Sequence, residues 1–355
     1  MTIDSHTPFT PEQTPRPAPP WWTSRVDQID AVLDSQVRRG EVVAVGRTSG
    51  GRVVRAVIWG EAEPPLRGPV NFNSALGARD EAHFVRRADR QRPVLLVLAG
   101  AHGQEVEGMV GSLSLISIME TGCDLTGAPQ PQLRQACDRL RLIVIPLANP
   151  DGRARVPYEG LVGLTGAEMS RVGQGTHADG SNWGYPACKS IHPMAGDIGG
   201  LGGYFDDGGI NLMHDEWFAP MSPLTSPLLA MVGREAPDIL LNLHSHGDPP
   251  AILHLSYVPK QVQQRVHDFA QTLNRNYEAA GLACKDAPPV EHDGPEGIVP
   301  PAFNLTSACY HAGAALPVTF ESPHGLSDGR VPFDYDDILR ACHVLFQTAA
   351  DALRP

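Results

Sequence analysis

The most apolar segments of this 355-residue chain are short and nearly unbroken: PVLLVLAG (93–100), LRLIVIPLAN (140–149), DILLNLHSH (238–246), AILHLSYV (251–258) and LPVTFESP (316–323). Runs of this kind fit strands covered on both faces, as at the centre of a sheet flanked by helices. Between and after them, residues 106–122, 223–236, 260–280 and 335–353 carry helical spacing; in 260–280, Val262, Val266, Phe269, Leu273 and Tyr277 share one face. Nearer the start, Val26, Ile29, Val32, Leu33 and Val37 predict a first helix that Gly40 stops. VVAVGRT and VVRAVIWG, joined by SGGR, predict a hairpin with a glycine turn. Strands alternating with helices predict an α/β fold built on a parallel or mixed sheet.

Two stretches break the pattern. Residues 1–20 are rich in Pro, Ser and Thr and have little to bury, which predicts a mobile tail ahead of one large domain over 21–355. Residues 152–209 are crowded with glycine, which predicts a long irregular excursion at one edge of the sheet.

Composition narrows the function. The net charge is −12 with no basic cluster, which argues against a nucleic-acid or anionic-membrane partner and leaves a small or peptide-like substrate. No apolar run reaches the roughly 18 residues of a membrane span, and the N-terminus lacks a basic region followed by an apolar one, so the expectation is a soluble, cytoplasmic protein. Six scattered cysteines without CxxC pairing suggest buried thiols. Any metal site therefore falls to histidines and carboxylates.

Ligand sites in open α/β sheets lie outside the carboxyl ends of strands, and three ends here carry such groups. AGAHGQEVEG puts His102 and Glu105 in the turn between a strand and a helix, three residues apart, with Glu107 aimed to another side as an acid that complements the helix start. LLNLHSHGD closes a strand on His244, with His246 two residues on. His102, Glu105 and His244 together make a His₂Glu set, one of the ligand sets of catalytic zinc. LPVTFESPHG ends a third strand on Glu321, where a carboxylate beside a metal can take a proton from the attacking water and pass it to a leaving amine. A salt-bridged structural glutamate is the alternative at that position.

With these residues in view, the chain resembles the carboxypeptidase A-like zinc metallopeptidase family from about residue 41 to 325. The resemblance is carried by VGRTSGGRVV (45–54), the HxxE of AHGQE, PLANPDGRAR (146–155), GGINL (208–212), SPLTSPLLAMVGREAPDILLNLHSH (222–246) and VTFE (318–321), all in the family's order. It implies a three-layer α/β/α sandwich around a mixed, mainly eight-stranded sheet. It implies one zinc ion held by His102, Glu105 and His244, and Glu321 as the catalytic glutamate of a carboxypeptidase-like amide hydrolase acting on a peptide.

The resemblance also implies an arginine facing the oxyanion, with Arg171 and Arg155 as candidates, and it matches Tyr310 to a tyrosine near the substrate. Where the family has an Asn-Arg pair that grips the substrate carboxylate, this chain has Met213 and His214. Asn211 stands where many members have an Asp supporting a metal-bound histidine. The lost pair keeps open an N-acyl amino acid deacylase like the succinylglutamate desuccinylase and aspartoacylase relatives, or a catalytically silent, zinc-containing module that binds peptide ends.

Overall fold

The five apolar runs become strands, and in the computed structural model, which describes residues 8–63, 90–290 and 303–353, they assemble one mixed sheet. The hairpin pairs β1 (Glu41–Arg47) with β2 (Val53–Trp59) antiparallel. β3 (Val94–Ala99), β4 (Arg141–Ile145), β7 (Ile239–His246), β8 (Ala251–Ile252) and β9 (Pro317–Pro323) complete the order β1-β2-β4-β3-β7-β9-β8. β5 (Gly175–Thr176) and β6 (Gly200–Leu201) form a separate two-stranded ribbon. Among the described residues the main sheet has seven strands, against the mainly eight-stranded sheet of the family resemblance. Its middle, β4-β3-β7-β9, is parallel, and the two flanks are antiparallel.

Every side chain of β3 is fully buried because alternate residues serve two cores. Leu95, Val97 and Ala99 join a cluster with α1 (Val26–Ser35), α2 (Val106–Thr121), α3 (Pro131–Asp138), α7 (Lys260–Ala279) and α9 (Tyr335–Ala352). Val94, Leu96 and Leu98 join a second cluster with α6 (Thr225–Glu235) and α8 (Leu305–Ala312) on the opposite face. These are the three layers of an α/β/α sandwich. At about 1.5–3 kcal/mol for each fully buried aliphatic side chain, this double burial fixes β3 and its parallel neighbours as the rigid centre.

Elements end where their local chemistry says. α1 stops at Ser35, short of Gly40, while α2 ends on Gly122 in the left-handed conformation. In the run 251–258 only Ala251 and Ile252 form the edge strand β8, with Leu253 N still donating to Thr319 O of β9. The glycine-rich excursion holds α5 (Gly166–Gln174), the short ribbon and a 3₁₀ turn, Ala187–Lys189, following α4 (Pro150–Arg155), and is otherwise irregular.

The expected N-terminal tail is corrected over its described part. Phe9 and Arg16 donate backbone hydrogen bonds to the carbonyls of Arg155 and Val162, and the Gln13 side chain donates to Thr165 Oγ1. Low apolar content did not forbid order, because backbone groups and one aromatic ring found partners on the excursion. Residues 1–7 lie outside the described residues. All six cysteines are free thiols, and among the described residues no helix is long and apolar enough to cross a membrane.

Candidate metal centre and catalytic site

Parallel neighbours β3, β7 and β9 end side by side, which is why three distant sequence segments meet. His244 and Glu321 are register partners on β7 and β9, and so emerge on the same face. Below them on that face, Asn242 donates to Thr306 Oγ1, which bonds Thr319 Oγ1, a polar seam tying β7, β9 and α8 together. Beyond β3 the chain turns sharply through His102 and Gly103. A side chain at Gly103 would lie 2.1 Å from the backbone nitrogen of Arg153, so only glycine permits this approach. A side chain at Gly108 would lie 2.7 Å from Leu243 Cβ, so this glycine lets α2 pack closely on β7 near His244.

The NPDG segment supports that turn. Asn149 caps α4 by accepting from Gly152 N at 2.8 Å. Asp151, fully buried, accepts from Thr48 Oγ1, Gly50 N and Arg52 and so locks the hairpin turn onto the excursion. Against the cost of burial, these bonds hold its carboxyl below the usual range.

His102, Glu105 and His244 are all buried and converge. Glu105 Oε1 lies 2.8 Å from His102 Nδ1, Glu105 Oε2 lies 2.8 Å from His244 Nδ1, and the two Nδ1 atoms are 3.3 Å apart. All three residues can offer one ligand atom each within 4.8 Å of the others, the spacing a single cation requires. Two imidazole nitrogens and a carboxylate suit zinc as a donor set. His102 Nε2 donates to Asn211 Oδ1 at 3.1 Å, and Met213 N also donates to that oxygen, which orients the amide and leaves His102 Nδ1 directed at the cluster. Tyr204 stacks on the His102 ring at 3.9 Å between centroids. Burial lowers the His102 pKa despite Glu105, whereas at His244 Glu105 outweighs burial and raises it; both histidines together hold the Glu105 carboxyl well below its ordinary range.

Glu321 is the register partner of His244 on β9, and among the described residues no cation hydrogen-bonds to it. Burial, and then the Glu105 carboxylate, raise its pKa to about 7. A carboxyl poised near neutrality next to a metal-ligand set is suited to accept and return a proton.

Other expected site residues are placed elsewhere. Arg171 pairs with Glu168 and Glu12, donates to Thr10 O and stacks over Phe9, so it clamps the N-terminal segment. Arg155 is buried and pairs with Asp207 while donating to Leu201 and Gly202 carbonyls, which holds the excursion closed. Both guanidinium groups are spent on these loop contacts. Tyr310 is 2% exposed in the apolar core on α8. His246 donates to Pro249 O rather than joining the cluster. His214 lies on a 3₁₀ turn begun by Asn211, and burial, then the charges of Lys189, His102, His244 and His192, hold its pKa well below the ordinary value.

Two features escaped sequence reading. Glu107 is no exposed helix-start acid: it is fully buried and pairs with buried His324 at 3.1 Å. The HG after TFES was the only hint. Lys189 also acts on this centre, its charge felt by His102, His214 and His244 and its own pKa affected by Glu105 and Glu321. One lysine in a glycine-rich stretch gave no signal.

A sequence model described as zinc carboxypeptidase matches residues 26–188. Carboxypeptidase D of Rattus norvegicus is 31% identical over 105 residues, which is 29% of this chain and 7% of that protein. The fold resembles a metallo-carboxypeptidase from Burkholderia cenocepacia (15% identity, TM-score 0.57, covering 92% of this chain and 68% of the other). It also resembles carboxypeptidase A from Helicoverpa armigera (15% identity, TM-score 0.54, covering 94% and 76%). The matched segment spans the hairpin, HxxE and NPDG within the first part of the chain, and the sandwich fold is similar to that of these carboxypeptidases over nearly the whole chain.

Proposed function

We propose that this protein is a zinc-dependent hydrolase that cleaves an amide bond of a peptide or peptide-like substrate. One observation carries the reading: two histidine Nδ1 atoms and a carboxylate converge within 4.8 Å at the ends of β3 and β7, next to a carboxyl on β9 with a pKa near 7. His102, Glu105 and His244 would hold the ion, which when bound supplies Lewis-acid polarisation of the amide carbonyl and activation of water. Glu321 takes the proton of the attacking water and returns it to the departing amine nitrogen. Asn211 fixes the His102 tautomer, and Tyr204 covers one face of that ring.

The test is hydrolysis of a panel of peptides and N-acyl amino acids by the zinc-loaded chain, with and without chelator, alongside Glu321→Gln. The expected result is chelator-sensitive cleavage in wild type and none in Glu321→Gln at equal zinc content. No turnover of any panel member by the fully zinc-loaded wild type would overturn the reading.

A further inference from the structure

We infer that His192 is a positioning residue for the metal-ligand set: its neutral imidazole holds Asn211, and through Asn211 it holds His102. The effect on metal affinity rests on the zinc reading above, while the hold on Asn211 belongs to the metal-free chain as well.

The path is a chain of hydrogen bonds. His192 Nε2 accepts from the backbone N–H of Asn211 at 2.9 Å. The Asn211 side-chain oxygen in turn accepts from His102 Nε2 at 3.1 Å and from Met213 N at 3.0 Å. Asn211 is 2% exposed, so its N–H cannot turn to water, and a buried donor left without an acceptor is costly. Among the described residues, the His192 imidazole is the acceptor of that N–H.

Both ends of this bond are anchored. Met194, two residues after His192, is buried with Cys188, Leu201 and Phe205, and its N–H donates to Gly209 O at 2.7 Å. A side chain at Gly209, whose φ is +75°, would lie 2.5 Å from Met194 O, so only glycine lets the two segments run this close. On the Asn211 side, Asp206 accepts from Gly208 N and Ile210 N, and Asn211 opens the 3₁₀ turn that carries His214. Asn211 sits between two hydrogen-bonded turns, and His192 ties its backbone from outside them.

An imidazole in this place has a chemical consequence. Nε2 can accept the bond only while its lone pair is free; an imidazolium carries an N–H there and would meet the Asn211 N–H donor to donor. An amide oxygen at the same point would be under no such condition. His192 is half-buried, within reach of solvent protons. Burial lowers its pKa, Asp215 and Asp206 act in the opposite direction, and His214 is the titratable neighbour that feels its charge. Both carboxylates already accept from donors in their own surroundings, Ile210 N at Asp206 and Ser222 N and Thr225 Oγ1 at Asp215. The bond is therefore complete above the ordinary histidine value of 6.5 and is lost as pH falls through the lower folded value. The hold on His102 goes with it.

The experiment compares the full chain as wild type, His192→Gln and His192→Leu. Gln offers an amide oxygen near the position of Nε2 and does not titrate. Zinc affinity is read by competition with a chelating dye at pH 8 and pH 5, and hydrogen exchange over residues 208–216 is read by mass spectrometry on the metal-free chain at pH 8. One net hydrogen bond corresponds to about three- to tenfold in an equilibrium constant. His192→Leu should bind zinc that much more weakly than wild type at pH 8 and exchange faster over 208–216 by a similar factor, whereas His192→Gln should match wild type in both. At pH 5 wild type should fall behind His192→Gln by the same factor, since protonation of the ligands themselves is common to both chains and cancels in the ratio. The inference is overturned if His192→Leu exchanges as wild type does, or if His192→Gln falls as far as His192→Leu. It is equally overturned if the ratio of wild type to His192→Gln is the same at pH 5 as at pH 8. Absence of zinc binding by wild type, with exchange in the expected order, would instead refute the zinc reading alone.

Discussion

Replacing Glu107 by leucine removes one half of a fully buried pair two residues from a metal ligand, and the cost can be worked from the structure. Glu107 and His324 side chains are 0% and 1% exposed, joined by one 3.1 Å bond, while among the described residues Glu107 Oε2 has no partner. Breaking a buried ion pair by removing one partner costs about 3–5 kcal/mol. The unpartnered oxygen already weakens this pair, which sets the expectation at the lower end. With a melting shift of about 2–4 °C per kcal/mol for domains of 150–250 residues, the metal-free variant should melt roughly 6 °C lower.

The sign with pH follows from His324. Burial lowers its pKa, but Glu107 outweighs burial and raises it above the ordinary 6.5. Its stabilisation is complete below that ordinary value and is lost as pH rises through the folded one. Thermal melts by circular dichroism at pH 6 and pH 9 read this directly. The deficit of Glu107→Leu should be larger at pH 6, and adding His324→Leu should recover part of it. A melting temperature equal to wild type at pH 6, or a deficit that grows toward pH 9, would refute the reasoning.

Further outcomes follow from the same geometry. Asn211→Leu leaves His102 Nε2 without an acceptor and should weaken zinc about 10–100-fold, while Asn211→Asp should retain it, as read by competition with a chelating dye. Arg171→Ala should lower the melting temperature yet keep kcat/KM within about twofold, since its partners are Glu168, Glu12 and Phe9; a large kcat loss would restore it to the site. In the metal-free chain, burial and Glu105 raise the Glu321 pKa from 4.5 to about 7, so folding prefers its neutral form and stability should fall as pH rises across that interval. Glu321→Gln should flatten that fall in pH-dependent melts.

The hydrophobic pattern carried the fold because β3, β4, β7 and β9 are buried on both faces and so must be continuously apolar. Helix bounds came within about two residues for α2, α6, α7 and α9, where apolar periodicity runs unbroken. The proposed metal set could be read from the sequence for a related reason: His102 and Glu105 follow β3, His244 and Glu321 sit near the ends of β7 and β9, and these parallel neighbours end together. What stayed hidden depends on pairing rather than periodicity. Arg155 and Arg171 look alike as lone arginines, and only the folded excursion reveals that Asp207 and Glu168 claim them. Glu107 reads as a solvated helix-start acid until His324, 217 residues away, is packed against it. Lys189 lies in a segment with no period, so its approach to the centre depends on irregular loop contacts that sequence spacing does not encode.

Zinc content tests the central claim most directly. Elemental analysis of the dialysed full chain should give one zinc per chain in wild type and in Glu321→Gln, and loss of the metal in His244→Ala and Glu105→Gln. Full zinc retention by His244→Ala, or no zinc bound by wild type, would contradict the account.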